Sequence, residues 1–179
     1  MTQQIALMTA AQRDLSQFAP LYDAYFPRIY AYFARRVAVQ QDVEDLTSQV
    51  FVRALKGIAG YQGGSVAAWL FSIARNSLAN YYRDKRALVS LDAFEIAAEG
   101  AALIDDVCLA EDIARVRAVI AALPDDEREL IELRLYDGLT NKEIAHIVGK
   151  REGAVKMRLS RLYKRLRVHF LEDSTWMTT

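Results

Sequence analysis

Residues 140–167 read TNKEIAHIVGKREGAVKMRLSRLYKRLR, and the local structure of this stretch can be predicted in most detail. Thr140 and Glu143 have the T-x-x-E spacing of a capping box, which predicts a helix beginning at Asn141. Gly149 lies where a glycine commonly ends a helix. Beyond it, apolar residues recur at helical spacing and predict the buried stripe of a second helix. These residues are Val155, Leu159, Leu162 and Leu166. A short capped helix, a tight turn and a longer helix form the pattern of a helix-turn-helix.

The second predicted helix and the turn before it are strongly basic. Residues 150–167 contain eight Lys or Arg and the single acid Glu152, a net charge of +7. Solvated helix faces usually mix both signs of charge, with acids spaced to pair with the bases. A basic patch of this size therefore indicates a surface that binds the phosphates of nucleic acid. The alternative is an amphipathic helix whose basic face is only solvated.

The composition of the whole chain limits the classes of protein it can belong to. Among 179 residues Cys108 is the only cysteine, so an intramolecular disulfide and a cysteine metal cluster are excluded, and a reducing compartment is expected. No apolar run approaches the ~20 residues that a membrane-spanning helix needs. The first residues lack the basic start and apolar core of a secretory signal. We therefore expect a cytoplasmic protein without membrane insertion.

The formal net charge of zero averages three segments of different charge. Residues 1–88 carry ten Lys or Arg and six Asp or Glu, and residues 113–179 carry thirteen bases and ten acids. Between them, residues 89–112 carry seven acids and no base. This distribution predicts two basic modules joined by an acidic connector. The predicted boundaries are a first domain at 1–88, a linker at 89–111, a second domain at 112–171 and a tail at 172–179.

Helical periodicity occupies both modules and no strand pattern occurs, so the predicted fold class is all-α. In the first module we expect a helix from Leu15 to Val37, a second beginning at Asp42, a loop at 59–65 and a further helix capped by Ser65. The positions expected to face the core from the first two helices are Phe18, Leu21, Tyr22, Tyr25, Phe26, Ile29, Tyr30, Phe33, Val43, Leu46, Val50 and Leu55.

The second module should hold two helices before the helix-turn-helix. The first is expected from Glu111 to Leu123 and is broken by Pro124, which suits the first turn of the next helix. That next helix should end at Gly138. Its inward residues are expected to be Leu130, Ile131, Leu133 and Leu135.

The helix expected after Ser65 mixes aromatic side chains with cations and amides. Rings can stack on unpaired bases while cations hold the backbone, so this composition suits single-stranded nucleic acid. The same helix also contains an adequate core stripe, and the residue pattern leaves both interpretations open. The core stripe would consist of Trp69, Leu70, Ile73, Ala74 and Leu78.

Taken together, these segments resemble a bacterial RNA polymerase sigma factor of the extracytoplasmic-function (ECF) group. The resemblance extends from about Phe18 to Leu171 and rests on four blocks in the right order. They are LYDAYFPRIYAYFARR at 21–36, DVEDLTSQVFVRAL at 42–55, AAWLFSIARNSLANYYRDKR at 67–86 and ALPDDERELIELRLYDGLTNKEIAHIVGKREGAVKMRLSRLYKRLR at 122–167. It implies two small helical domains, sigma region 2 and sigma region 4, joined by the acidic linker. It also implies a transcription initiation factor, not an enzyme, that directs core RNA polymerase to specific promoters.

The resemblance assigns a role to each domain and candidate residues to each role. Region 2 is implied to bind core polymerase and to read the −10 promoter element as melted single strand, and region 4 to read the −35 element as duplex. The implied −10 contacts are Tyr61, Phe71, Asn76, Asn80, Tyr81 and Arg83. The implied polymerase contacts are Asp42, Asp45, Ser48, Gln49 and Arg53. The implied −35 contacts are Arg151, Lys156, Met157, Arg158, Ser160, Arg161 and Lys164.

The implied partners are promoter DNA, the clamp and flap regions of core RNA polymerase, and an anti-sigma factor. The acidic linker is implied to thread toward the active-site cleft and RNA exit path of the polymerase. We expect no cofactor, no metal and no catalytic residue. His146 and His169 lie on separate predicted helices without an acidic partner at metal spacing, and the chain has no Gly-rich phosphate loop.

Two other classes of protein would share some of these features. A helix-turn-helix regulator with an N-terminal sensory domain would dimerise and bind a palindromic site. Nothing in the sequence indicates a dimerisation helix or a ligand pocket, and the aromatic and basic helix would be unexplained. An enzyme acting on nucleic acid is disfavoured by the lack of a metal or phosphate motif.

Overall fold

The structure of the chain is a computed structural model, which describes residues 2–89 and 116–172, with side chains for 3–86 and 116–168. Only residue 89 of the predicted acidic linker and residue 172 of the predicted tail belong to the described residues, and the rest of both segments lies outside them. The chain divides into two compact units, Met1–Ala101 and Ala102–Thr179, and each is described by itself. The part described is helical and contains no strand, as the sequence analysis predicts.

Within residues 2–89, the first unit contains four α-helices and two 3₁₀ turns. Helix α1 spans Thr2–Arg13 and is followed by a 3₁₀ turn at Leu15–Phe18. Helices α2 and α3 span Ala19–Ala34 and Gln40–Gly57, and a second 3₁₀ turn covers Ile58–Gly60. Helix α4 spans Val66–Val89. Helices α2, α3 and α4 lie where the sequence predicts them, although α2 begins after the predicted start at Leu15 and α3 begins two residues before the predicted start at Asp42.

Helix α1 is an element that the sequence analysis missed. Its apolar side is short, because only Met8 and Ala11 are fully buried. The neighbouring polar side chains nevertheless bond to the rest of the unit. Gln4 Oε1 accepts a hydrogen bond from the hydroxyl of Tyr25 at 3.0 Å, and Gln12 Nε2 donates to the carbonyl oxygens of Ile58 and Tyr61 at 3.0 and 2.7 Å. These bonds hold α1 against α2 and the second 3₁₀ turn. No local sequence pattern predicts them, because their partners are far apart along the chain.

The core of the first unit is formed mainly by α2, α3 and α4. Most of the predicted inward positions are buried there, which confirms the helical periodicity. The exceptions are Tyr22 and Leu55, which are 40% and 37% exposed, and Phe26 and Tyr30, which are half-buried. Tyr32, which was not predicted, is only 1% exposed because α2 packs against α4 as well as α3. The ring of Tyr22 instead covers the outer side of Phe51, with ring centroids 4.7 Å apart.

The predicted loop after α3 is confirmed at residues 61–65. Ser65 caps α4 as expected, because its Oγ accepts a hydrogen bond from the Ala68 N–H at 3.1 Å. Gly63 and Gly64 have φ angles of +97° and +99°, a conformation that side chains with a Cβ rarely adopt. The loop path therefore depends on these two glycines.

Within residues 116–172, the second unit contains a helical segment at 116–121 (α5) and three further helices. Helix α6 spans Asp125–Leu135, α7 spans Asn141–Val148 and α8 spans Glu152–Glu172. Of the predicted helix 111–123, residues 111–115 lie outside the part described, and the helix ends before Leu123. Pro124 is the N-cap of α6.

The helix-turn-helix forms as the local sequence predicts. Thr140 Oγ1 accepts from the Glu143 N–H at 3.3 Å, and Glu143 Oε2 accepts from the Thr140 N–H at 2.7 Å, so the capping box is complete. Gly149 ends α7 with φ 66° and ψ 35°, in the left-handed region. Val155, Leu159 and Leu162 are buried on the inner side of α8. Local capping chemistry therefore sets the beginning and end of α7.

One inward position predicted for α6 is wrong. Leu135 is 49% exposed, because it is the last residue of the helix and the chain turns away after it. Leu139, four residues later, is 1% exposed and takes the buried position. Leu130, Ile131 and Leu133 are buried as predicted. Across residues 2–89 and 116–172, no helix is both long and apolar enough to cross a membrane.

Replacing Thr140 by alanine is expected to destabilise the second unit by about 1 kcal/mol, because α7 loses its capping oxygen. Urea unfolding followed by far-UV circular dichroism, together with amide exchange at the Glu143 N–H, measures the change. Lys142→Ala, in the same helical turn but outside the cap, is the control and should leave both readouts nearly unchanged. An unaltered exchange rate in Thr140→Ala would contradict the capping role.

Candidate nucleic-acid interface

The outer face of α8 carries most of the residues predicted to read duplex DNA. Because Val155, Leu159 and Leu162 bury the inner side, the side chains between them are directed outward. A shallow groove runs along this face, and we call it the α8 groove. It is lined by Gly153, Lys156, Met157, Ser160, Arg161 and Lys164. Five of the seven predicted −35 residues thus lie together on one exposed helix face.

The α8 groove combines positive charge with one apolar contact. Met157 is 53% exposed and supplies the apolar contact. The guanidinium of Arg161 lies 3.3 Å from the Met157 sulfur, one helical turn away. Arginine donors beside an apolar side chain can address both the guanine edge and the thymine methyl group in a major groove.

The other two predicted −35 residues lie outside the α8 groove. Arg151 precedes α8 and is exposed at its N-terminus, where the backbone N–H groups also favour phosphate. Arg158 forms an ion pair with Asp126, and Arg165 forms one with Glu127. Both acids belong to the first turn of α6. The guanidinium of Arg158 is thus paired with α6 on the exposed surface, and its role as a phosphate contact stays a prediction.

Helix α4 presents a second, separate set of predicted residues. Asn76 and Arg83 are exposed and Asn80 is partly exposed. Their spacing of four and three residues places them on one side of the helix, and we call them the α4 stripe. Two amides and a guanidinium in a row can bond to base edges and to phosphate.

Tyr81 lies beside the α4 stripe and is held by α3. Its hydroxyl donates to Asp42 Oδ2 at 2.6 Å, and the ammonium of Lys85 lies 4.8 Å from the centre of its ring. Burial, and next the hydrogen bond to Asp42, raise the pKa of the Tyr81 hydroxyl. The hydrogen bond with Tyr81 also contributes most to raising the pKa of Lys85.

Two of the predicted −10 residues are placed inside the unit. Phe71 is fully buried, with its ring edge-on to Tyr32 at 5.6 Å and under the guanidinium of Arg28. Tyr61 is 8% exposed, packs against Trp69 and donates its hydroxyl hydrogen to the Gly64 carbonyl at 2.8 Å. Burial raises the pKa of Tyr61. The structure corrects the prediction for these two rings, because rings enclosed by protein cannot stack on bases in this conformation.

The outer face of α3 forms another shallow groove, which we call the α3 groove. It contains four of the five predicted polymerase contacts, and Asp42 is the fifth. The lining residues are Asp45, Ser48, Gln49, Val52, Arg53 and Lys56. Val52 and Lys56 were missed by the sequence analysis, although helical spacing from Asp45 and Ser48 places them on the same face. Arg53 is anchored by a 3.0 Å hydrogen bond to the Ser77 hydroxyl of α4.

No metal chemistry is indicated at these surfaces. Among the residues that the structure describes, no three His, Cys, Asp or Glu side chains cluster so that they could hold a metal ion. The site is instead an arrangement of exposed cations, amides and a few apolar side chains. The fold and the surfaces together define a two-unit, all-helical DNA-binding protein with a helix-turn-helix in its second unit.

Comparison with known proteins agrees with this class. Residues 21–88 match the family model of Sigma-70 region 2, and residues 113–166 match that of Sigma-70, region 4. The ECF RNA polymerase sigma factor SigW of Bacillus subtilis is 30% identical over 166 residues, which cover 86% of this chain and 89% of SigW. The chain belongs to the ECF sigma factors of RNA polymerase. It is thus a transcription initiation factor and not an enzyme.

Further relatives cover the chain to different extents. RpoE of Cereibacter sphaeroides, also an ECF sigma factor, is 29% identical over 172 residues, 94% of this chain and 95% of RpoE. BldN of Streptomyces coelicolor is 34% identical over 151 residues, but this chain spans only 56% of its length. The solved structure of CnrH in complex with the cytosolic domain of CnrY has a TM-score of 0.67 at 22% identity, covering 95% of this chain and 98% of CnrH. That likeness supports the fold.

Proposed function

We propose that the α8 groove reads the −35 promoter element as duplex DNA and that the α4 stripe binds the −10 element as melted single strand. The observation that carries the proposal is the gathering of five polar, basic and apolar side chains on the outer face of α8. Each lies within the helix that follows the turn of the helix-turn-helix, the element that enters the major groove in such motifs.

Within the α8 groove, Lys156 and Arg161 are assigned to base edges. Their donors suit guanine O6 and N7, and each good contact contributes about 1–3 kcal/mol of discrimination. Met157 supplies an apolar contact to a thymine methyl group. Lys164, which lines the groove, and Arg151, which precedes α8, are assigned to phosphates, which set the register of the helix on the duplex.

The α4 stripe suits a strand whose bases are unstacked. The amides of Asn76 and Asn80 can both donate to and accept from a base edge, and Arg83 can hold the backbone. Tyr81 offers part of its ring beside them. Tyr61 and Phe71 act indirectly in this proposal. Tyr61 packs the loop that precedes α4, and Phe71 packs α4 itself, the helix that carries the stripe.

We assign the α3 groove to core RNA polymerase. The groove mixes the acid Asp45 and the cations Arg53 and Lys56 with Val52, which is 50% exposed. An apolar centre surrounded by charges of both signs is a common composition of a protein–protein interface. We further assign a flap contact to the second unit. The chain then acts in the cytoplasm, with the polymerase.

The same α3 face suits a regulatory partner. CnrH is described in complex with the cytosolic domain of CnrY. A protein that covered the α3 groove would exclude the polymerase, since two proteins cannot occupy one surface. We therefore include an anti-sigma factor among the proposed partners of this chain.

Run-off transcription with core RNA polymerase on genomic promoter fragments tests the proposal as a whole. The chain is expected to direct initiation at one promoter class, whereas core enzyme alone is not. Mutation of the −35 or the −10 sequence should each reduce the product. If no fragment supports initiation, the assignment of promoter reading fails.

Asn76→Ala is expected to weaken binding of the holoenzyme to single-stranded −10 oligonucleotide by roughly tenfold, because one bidentate amide contact is lost. Fluorescence anisotropy of a labelled oligonucleotide measures this change. Gln3→Ala, an exposed amide on α1, is the matched control and should bind as the wild type does. Unchanged affinity in Asn76→Ala would remove this residue from the proposed surface.

A further inference from the structure

Asp42 differs from the other residues implied to contact the polymerase. It lies in the first turn of α3, but its side chain is directed at α4 and does not line the α3 groove. Its Oδ2 accepts hydrogen bonds from the Tyr81 hydroxyl at 2.6 Å and from the Lys85 ammonium at 3.3 Å. The carboxylate is therefore engaged within the unit.

The two residues that bond to Asp42 also contact each other. The Lys85 ammonium lies over the Tyr81 ring, so the carboxylate, the phenol and the ammonium form one closed cluster. The next residue, Tyr82, packs edge-on to Tyr81 at 5.2 Å and donates its hydroxyl hydrogen to the Arg36 carbonyl in the turn that follows α2. Two successive tyrosine hydroxyls thus attach the C-terminal half of α4 to α3 and to the turn after α2.

This cluster is adjacent to the α4 stripe along the chain. Asn80 immediately precedes Tyr81, and Arg83 lies between Tyr81 and Lys85 on the same helix. Holding the phenol and the ammonium in one geometry fixes the rotation of α4 and the exposed part of the Tyr81 ring. Side chains fixed before binding lose less conformational freedom when a ligand binds, and this preorganisation increases affinity.

From these contacts we infer that Asp42 is a positioning residue for the −10 surface and not a contact to core RNA polymerase. It acts through Tyr81 and Lys85 on the α4 stripe. The inference rests on the proposed function, since it assigns Asp42 to the surface proposed to bind the melted strand. It also divides α3 into two functional parts. The first turn positions side chains of α4, and the α3 groove binds the polymerase.

Four variants separate the two assignments. Asp42→Ala removes the acceptor, Tyr81→Phe removes the donor and keeps the ring, and the double variant removes both. Asp45→Ala removes a carboxylate of the α3 groove from the same helix. Glu44→Ala, an exposed carboxylate outside both surfaces, is the matched control. Each variant is assayed for its dissociation constant with core polymerase and for permanganate reactivity of −10 thymines in the full promoter complex.

Asp42→Ala and Tyr81→Phe are each expected to lower the extent of promoter melting by about tenfold, the effect of losing a hydrogen bond to a charged group. The double variant should be no worse than Asp42→Ala, because Asp42→Ala already removes the bond that Tyr81→Phe removes. Polymerase affinity should stay within about twofold in these three and fall only in Asp45→Ala. Asp42→Asn, which retains an acceptor oxygen, should restore part of the melting. Thermal unfolding of each variant shows whether the unit remains folded.

The opposite pattern would overturn the inference. Weaker polymerase binding in Asp42→Ala with normal melting would return Asp42 to the polymerase interface. Additive losses in the double variant would show that Asp42 and Tyr81 act separately. If the wild-type holoenzyme melts no promoter, the proposed function fails, and the inference fails with it.

Discussion

Phe71→Ala is expected to destabilise the first unit by about 3–5 kcal/mol, because it leaves a cavity at a fully buried aromatic position. The ring packs edge-on against Tyr32 and lies beneath the Arg28 guanidinium, so its loss removes contacts with α2 as well as within α4. Urea unfolding followed by Trp69 fluorescence reports on this unit. A background with Trp176→Phe leaves Trp69 as the only tryptophan.

The same helix provides the control for this prediction. Asn76→Ala removes an exposed side chain one turn and a half from Phe71 and should change stability by less than about 0.5 kcal/mol. Phe71→Leu keeps most of the buried volume and should retain the −10 preference of the wild type. If Phe71→Ala instead unfolds like the wild type but loses single-strand binding, the ring must face the DNA, contrary to the structure.

Arg161→Ala is expected to reduce initiation at promoters that depend on the −35 element by roughly 10- to 100-fold, corresponding to a loss of about 1–3 kcal/mol. The Arg161 guanidinium lines the α8 groove and is exposed, so the substitution removes base contacts without disturbing the core. Affinity for core polymerase should be unchanged. Run-off transcription at a fixed salt concentration measures the effect, since ionic strength alone alters binding to DNA.

Arg167→Ala is a matched control for Arg161→Ala. It removes the same charge from the same helix, farther toward its C-terminus and outside the α8 groove. It should weaken binding to all duplexes slightly and equally, whereas Arg161→Ala should also relax the sequence preference within the −35 element. Loss of polymerase binding in Arg161→Ala would mean that this residue belongs to a protein interface.

Several features of the molecule were predictable because local chemistry decides them. The capping box of Thr140 and Glu143, and the left-handed Gly149, involve residues close in sequence, and the structure has both. The inner side of α8 follows from 3.6-residue periodicity alone. The outer side of the same helix follows in turn, so the residues of the α8 groove could be named from the sequence.

Other features depend on which elements pack together. Phe71 and Tyr81 are aromatic residues of one helix, and composition suits either of them to bases or to a core. Packing of α2 against α4 encloses Phe71, and a carboxylate on α3 binds Tyr81. In the second unit, Asp126 on α6 pairs with Arg158, which sequence composition alone groups with the other cations of α8.

The sequence by itself therefore determined the all-helical class, the position of the helix-turn-helix and the family resemblance, because these depend on periodicity, capping and order along the chain. The tertiary structure decided which side chains of those helices remain exposed. Partners such as Asp42 and Tyr81 lie 39 residues apart, and no local rule relates residues at that separation. Helix packing therefore explains why Phe71 is buried and why the Asp42 carboxylate of α3 bonds to side chains of α4.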